Sequence, residues 1–475
     1  GTWLSEHNPW WPHIRRFSDY ASRLTTVLSE SENLASLAIL APQADEWSRH
    51  ALYQPFPEES APWYQYALPA ALASAGYGPD YVSDSILQAA TATEGMLRFG
   101  PRKWTGLLVL GAKTIEPQTM QAILRFAQKG GRVLFVDRMP VRAPGLHNAT
   151  TKDARVQKLA SLLRSAPQNR VAVVPGPPGG PPGNFELLRA ELPTYARRGL
   201  LQWVLTRLPA FGLTPSVQID APHFAVEQIH HRQGHRPIVF FANSSKTDAV
   251  TLRAQWFERG HRPWRWDPET GDRAPIPADK HGRIWLRLEP VSSQLIVFEP
   301  PAKVNPSDLE PTTTPRSPFA SASQWKKLPG PWRTQFRHAY SKKIFSRTMS
   351  LKDLSLSARP EEATFAGKVT YRLRFKLPDT RYDHLDLGTI HGDSVVELNG
   401  KALGVRWYGR HEYPISHAIK KGWNRLKITV NVVAANYARS LRNNKAAQVW
   451  SFWYPPIPTG LVGPVRLLKK APEEN

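Results

Sequence analysis

Residues 367–377, GKVTYRLRFKL, and 424–432, NRLKITVNV, decide how the last third of the chain folds. Val369, Tyr371, Leu373 and Phe375 alternate with polar neighbours, as do Leu426, Ile428, Val430 and Val432. Side chains on a strand point to opposite faces in turn, so each segment presents one apolar face to a core. Between DSVVEL and KALGVRW stands Asn399-Gly400, which suits a type I′ hairpin because both central residues of that turn need positive φ. The region ends in WSFWYPPIPTGLVGPV, an aromatic run with a glycine-proline closure. One β-sandwich from Phe365 to Leu467 is the expectation.

Working outward, residues 325–365 hold GPWRTQF and LKDLSL, read as early strands or a bridging arm of that sandwich. Residues 301–324 are rich in Pro, Ser and Thr and poor in large apolar groups, the composition of a linker. From 216 to 300, short strands such as PIVFFANSS, VTLRAQW and QLIVFEP are separated by turn residues, which predicts a second, small sandwich. Residues 34–215 alternate: LAIL, ALPAALASAG, SDSILQAA, GLLVLG, PQTMQAILRFAQKGG, RVLFVD. Strand and helix in turn predict a parallel sheet with helices on both faces, with Gly130-Gly131 closing a helix. At the N-terminus a loop rich in Trp, His and Asn feeds a helix carrying Ile14, Phe17, Tyr20, Leu24, Val27 and Leu28 at helical spacing, with Pro12 suited to its first turn.

A chain of 475 residues exceeds what one core holds, so about three domains are expected. Hydrophobic content of 41% with 10% aromatics supports packed domains. No run reaches the roughly 18 apolar residues of a membrane span. With no starting Met and no leader-like segment, the chain is expected to begin inside a longer or processed protein. The absence of cysteine removes disulfides, zinc–thiolate sites and Cys nucleophiles together. An amidotransferase-like reading of the α/β region fails on that chemistry.

The net charge is +23, and residues 321–475 hold 27 Lys and Arg against 11 Asp and Glu, an excess of 16. Such a field attracts polyanions, and equally serves as a solubilising surface. No helix-turn-helix, RNP motif or zinc finger accompanies it, so nucleic acid is not an expected partner. The PGPPGGPPG run at 175–183 lacks the Gly-Lys-Ser/Thr of a phosphate loop.

Sugar hydrolysis needs one carboxyl that holds a proton and one that is ionised, about 5–5.5 Å or 6.5–9.5 Å apart. The adjacent acids Glu58-Glu59, Glu361-Glu362 and Glu473-Glu474 read instead as solvated surface pairs, because neighbours on a strand point apart. Glu6, His7, Asn8, Trp10 and Trp11 place a carboxylate, an imidazole, an amide and two indoles in one loop. Sugar pockets are lined in this way, with polar partners for hydroxyls and an aromatic platform for the C–H face. The residues alone leave a second reading open, in which the tryptophans pack between domains and Glu6 is a first-turn helix charge. His230, His231 and His235 read as a hairpin rather than a metal site, and Asp379, Asp383 and Asp386 lack the glycine and closing Glu of a calcium loop. Trp407, Tyr408, His411, Trp450, Trp453 and Tyr454, with Arg406 and Arg410, form either a sugar platform or internal packing, and packing is favoured.

In their order these parts resemble the C-terminal half of the large bacterial α-L-rhamnosidases of glycoside hydrolase family 106 and relatives. The resemblance rests on Asn8, Trp10 and Trp11, on Tyr20 and Arg23 in DYASR, on YVSDSILQ and KTIEPQTMQAILRFAQKGGRVLFVD, on FFANSS and WDPETG, and on TGLVGPV at 459–465. It implies a multidomain α/β plus all-β protein. Residues 1–33 would be the last loop and helix of a (β/α)8 catalytic barrel and 34–215 a flavodoxin-like α/β domain. A β-sandwich at 216–300, the linker 301–324 and a galactose-binding-like jelly roll at 325–475 would follow. It also implies inverting hydrolysis of terminal α-L-rhamnosyl bonds by a periplasmic or extracellular parent protein, with Ca²⁺ as an assisting ion in the family. The barrel carrying the family's catalytic glutamates is not in this sequence, so the catalytic pair is expected outside the chain and these residues alone are expected to be inactive. Glu6, His7, Asn8, Trp10 and Trp11 are then the expected contribution to a pocket rim, with a rhamnose-containing acidic polysaccharide as partner. A non-catalytic carbohydrate-binding or assembly module is the alternative.

Overall fold

The computed structural model describes residues 5–49, 62–180, 192–256, 261–279, 281–300, 322–453 and 456–470. The chain divides into two compact units, one of Gly1–Ser22, Glu289–Ser292 and Thr314–Asn475, the other of Arg23–Leu288 and Ser293–Thr313.

The second unit holds a five-stranded parallel sheet in the order Pro79–Tyr81, Leu37–Leu40, Gly106–Leu110, Arg132–Val136, Val171–Val174. Counted along the chain this is 2-1-3-4-5, a doubly wound order. Both faces of the central strands are covered, which is why LAIL and GLLVL run without polar alternation. Leu37, Ile39, Leu108 and Leu110 pack on the helices Leu68–Ser74 and Thr194–Ala210. Ala38, Leu107 and Val109 face the other way, against Pro117–Gln128 and Ala149–Arg164. The helix Pro117–Gln128 ends at Gly130, whose φ of 93° is a left-handed position that suits glycine. A three-stranded antiparallel ribbon, Thr91–Thr93, Met96–Phe99 and Arg102–Trp104, is an addition that the alternation of helix and strand did not foretell.

The same unit contains two antiparallel sheets packed face to face. One has the order Glu32–Asn33, Val226–Gln233, Arg236–Asn243, Ser292–Glu299, Arg262–Trp266, Arg273–Pro275, and the other Val217–Asp220, Val250–Trp256, Arg283–Leu288. Val226, Val239, Phe241, Ile296 and Phe298 from the first meet Val217, Leu252, Ala254, Ile284 and Leu286 from the second. On the outer face of the larger sheet, Leu24, Val27 and Leu28 cover Ile238, Leu295 and Val297.

In the first unit, a six-stranded antiparallel sheet runs Ile344–Met349, Trp332–His338, Gly367–Leu377, Gly422–Val432, Asp393–Leu398, Lys401–Arg406. Gly367–Leu377 and Gly422–Val432 pair along their whole length, from Gly367 opposite Val432 to Leu377 opposite Gly422. Val369, Tyr371, Phe375, Leu426, Ile428, Val430 and Val432 all enter one core, as their alternation requires. Leu385 and Leu467 reach that core from a four-stranded sheet of Ala322–Lys327, Arg466–Lys470, His384–Asp386 and Glu412–Pro414. Asn399 and Gly400 have φ of 55° and 84° and join Leu398 to Lys401, the two-residue turn expected of that pair.

Two local expectations are corrected. Of the two readings of LKDLSL, strand or bridging arm, the strand is excluded: Asp353 accepts from Ser355 N at 2.9 Å and caps a short 3₁₀ turn, Leu354–Leu356. Glu362 is not a solvated partner of Glu361 but is 1% exposed, held by Arg347 Nε at 3.0 Å, Lys352 Nζ at 3.0 Å and the Ser357 hydroxyl at 2.7 Å. Glu361 remains exposed and pairs with Arg347 at 2.6 Å. Glu58-Glu59, Glu473-Glu474 and most of the 301–324 segment lie outside the described residues.

Candidate functional site in the N-terminal loop and an adjoining cleft

Residues 5–13 form successive tight turns. Asn8 N donates to Ser5 O at 3.0 Å, Trp11 N to Asn8 O at 3.0 Å and His13 N to Trp10 O at 2.9 Å, the last within the 3₁₀ helix Trp11–His13, where Pro12 replaces a donor the turn does not use. Glu6 and His7 are exposed, Asn8 and Trp10 are half-buried, and Trp11 is 36% exposed. Between them Pro9 is buried. The five expected rim residues thus share one loop, with the two tryptophans partly open. No side-chain contact among the described residues joins Glu6 to His7.

His13 anchors the loop. Its Nε2 lies 3.5 Å from Asp393 Oδ2, and the same oxygen accepts from Asn431 Nδ2 at 2.7 Å. Burial raises the Asp393 carboxyl to about 6, against hydrogen bonding from Asn431 and the charge of Lys368. Burial also lowers the His13 imidazole, assisted by Lys368 and Arg16. A contact with the spacing of an ion pair is therefore biased towards the uncharged form of both partners. Strand register assembles it: Lys368 stands opposite Asn431, and Asn431 opposite Asp393. The 38 residues separating Asp393 from Asn431 are why no sequence motif announced the group.

An open cleft of about 360 Å³ lies beside this anchor, with Pro9 as one wall and Arg337, His338, Lys342, Gly367 and Lys368 around it. Among the described residues no carboxylate lines it. The sequence signal was the basic surplus alone, which does not say where the cations converge.

The helix Ile14–Ser29 uses both residues singled out in DYASR for packing. Tyr20 meets Trp407 and Tyr408 edge-on at 5.4 Å each, and Phe17 meets Trp407 at 5.8 Å. Arg23 Nη1 donates to the carbonyls of Pro268 and Glu269, at 2.9 and 2.7 Å, within the WDPETG turn. Trp407 and Tyr408 are accordingly packing residues. His411 is buried, its Nδ1 2.5 Å from the Ser394 hydroxyl, which in turn lies 2.7 Å from Tyr413 Oη. Burial drives that imidazole down to about 3, so it is neutral and structural. Arg410 bridges Asp386 at 3.2 Å and Glu412 at 3.4 Å. The side chains of Trp450, Trp453 and Tyr454 lie outside the described residues.

Other candidates resolve into structure. His230 is buried, with its imidazole lowered to about 4 by burial, while His231 meets the Ser31 hydroxyl at 2.8 Å and His235 is exposed. The hairpin expected there exists, but its first histidine faces a core and not the surface. Asp379 pairs with Arg381, Asp383 with His384 and Asp386 with Arg410. Among the described residues no group of three or more His, Asp or Glu is placed to hold a metal ion. At the switch point of the parallel sheet, where doubly wound folds leave a ligand crevice, Asp45 is turned inward. Its carboxylate accepts from Lys113 N at 2.6 Å, Thr114 N at 3.1 Å and Thr114 Oγ1 at 2.7 Å. No described helix is long and apolar enough to cross a membrane.

This fold is similar to that of part of one solved enzyme. The chain superimposes over 98% of its length on 42% of a solved rhamnosidase from Novosphingobium sp. PP1Y, at 21% identity and a TM-score of 0.58. A putative beta-glucuronidase of Formosa agariphila is 24% identical over 164 residues, 34% of this chain and 12% of that protein. A solved beta-glucuronidase from an uncultured Clostridium species matches 23% of the chain at 21% identity and a TM-score of 0.20. No family model matches the chain. The chain spans less than half the length of the rhamnosidase and about an eighth of the glucuronidase.

Proposed function

We propose that this chain is the C-terminal accessory region of a glycoside hydrolase of the α-L-rhamnosidase type, secreted to the periplasm or beyond, whose catalytic acid and base lie outside these residues. The observation that carries the reading is the likeness of fold to part of a rhamnosidase over 98% of the chain, together with the state of the buried carboxylates. Asp45 is spent on backbone donors, Glu362 on cations, Asp386 on Arg410 and Asp393 on Asn431. None is left as the free member of an acid/base pair. On this reading 1–33 ends a barrel, 34–215 is flavodoxin-like, 216–300 a β-sandwich and 325–475 a galactose-binding-like jelly roll. Glu6, His7, Asn8, Trp10 and Trp11 contribute to the rim of the rhamnosyl pocket, and the basic last domain holds an acidic rhamnose-containing polymer.

The test is release of rhamnose from an aryl α-L-rhamnoside by this chain and by a form extended upstream through a barrel. Activity in the extended form alone supports the accessory role, and activity of residues 1–475 by themselves overturns it. A second reading, a non-catalytic carbohydrate-binding module, is favoured by the open basic cleft. Retained binding to a rhamnose-rich polysaccharide with hydrolysis in neither form would select it.

A further inference from the structure

The cleft beside Pro9 gathers like charges on one face of a sheet. Arg337 and Lys368 are directly opposite on paired strands, so both side chains leave the same face of the sheet, and both are exposed. Like charges in that arrangement repel. Lys342 adds a third cation from the turn that follows, at a φ of 56°, where glycine or asparagine would be less strained. Among the described residues none of the three has an ion-pair partner. The floor is Gly367, where a Cβ would stand 2.3 Å from Arg337 O and 2.7 Å from Ala339 N. A side chain there would displace the backbone that sets the two strands' ends in place.

His338 supplies the ring in the lining. His338 Nδ1 accepts from Tyr340 N at 3.2 Å and Ser341 N at 3.1 Å. Burial and Lys343 keep the ring neutral, so its other nitrogen carries the proton and is a donor. Tyr340, 40% exposed, lies 6.0 Å from that ring and stacks on Tyr437 at 5.2 Å with 17° between planes. Cations beside a fixed imidazole N–H suit a sugar that carries an oxyanion, with charge at Arg337, Lys342 and Lys368 and a hydroxyl at His338.

We propose that this cleft is a subsite for a uronic-acid residue, its carboxylate held by Arg337 and Lys368 with Lys342 in support and a ring hydroxyl accepting from the His338 imidazole. The inference rests on the carbohydrate reading above and deepens it, placing selection for an acidic polymer at one cluster and not in the field of the whole domain. Pro9 belongs to the same loop as Glu6, His7, Asn8, Trp10 and Trp11, so a uronate here sits next to the proposed rim.

The experiment is calorimetric titration of residues 1–475 with trigalacturonate, its carboxyl-reduced neutral counterpart and a sulfated trisaccharide. It is repeated with R337A/K368A and with K376A/K421A, which removes two exposed cations from the opposite end of the Gly367–Leu377 and Gly422–Val432 strands. Trigalacturonate is expected to bind, the reduced form not, and R337A/K368A to weaken binding about tenfold or more while K376A/K421A changes it less than about twofold. Equal weakening by both pairs, equal binding of the reduced trisaccharide, or preference for the sulfated one overturns the proposal. Release of rhamnose from a neutral aryl rhamnoside by the extended protein of parent sequence reports on the enzymatic reading separately from this one.

Discussion

His13 Nε2 stands 3.5 Å from Asp393 Oδ2, and this contact ties the loop bearing Glu6, His7, Asn8, Trp10 and Trp11 to the sheet that carries Lys368. Because Asp393 is 7% exposed and its second oxygen has no hydrogen-bond partner among the described residues, its charge is expensive.

The sign of the pH dependence follows. The folded Asp393 carboxyl is raised from 3.8 to about 6, so between those values the folded state holds a proton that the unfolded state has released. Stability then falls as pH rises through that window, by at most about 3 kcal/mol. The lowered His13 imidazole acts oppositely, adding stability as pH rises towards 6.5. Asp393→Asn should remove the falling limb. Urea unfolding of both proteins is expected to show the variant gaining on the parent from pH 4 to pH 7, and a constant difference would refute the coupling.

Glu362 has the reverse sign. Burial works to raise it, but the Ser357 and Lys352 hydrogen bonds and the charges of Lys352 and Arg347 hold it below its ordinary 4.5. Its contribution is present above 4.5 and is lost as pH falls through the lower folded value. Glu362→Ala should cost about 3 kcal/mol at pH 7, because two cations lose a buried partner. That penalty should shrink in acid, as read by denaturant midpoints at pH 7 and pH 3.

Trp407 and Tyr20 form an edge-to-face pair at 5.4 Å. Trp407→Ala should destabilise by about 2 kcal/mol, and a double-mutant cycle with Tyr20→Ala should give a coupling of about 1 kcal/mol. Independent effects would show that the two rings are merely neighbours.

Asp45 satisfies the Lys113 and Thr114 amides. Asp45→Ala should cost about 2–3 kcal/mol, and hydrogen exchange at those two amides should accelerate more than at Leu108 in the adjoining strand. Unchanged protection would mean that other groups take over.

Local pattern carried much of the architecture. Alternation placed the strands at 367–377 and 422–432, continuous apolar runs placed LAIL and GLLVL, and Asn399-Gly400 marked its own turn, since period and φ are properties of a few consecutive residues. Adjacency misled at Glu361-Glu362, where chain neighbours point in different directions and one of them enters a nest of cations. It misled again at His230, whose position on the inner face of its strand outweighed its polarity.

By itself the sequence determined the types of the principal elements, the basic surplus and the composition of the N-terminal loop. Only the tertiary structure decided that Lys368, Asn431 and Asp393 form one row, that Arg337 opposes Lys368, and that Pro9 walls a cleft lined by Arg337 and Lys368. The reason is physical: charges and buried carboxyls act through distances of a few ångströms, and strand register brings together residues that the chain holds tens of positions apart.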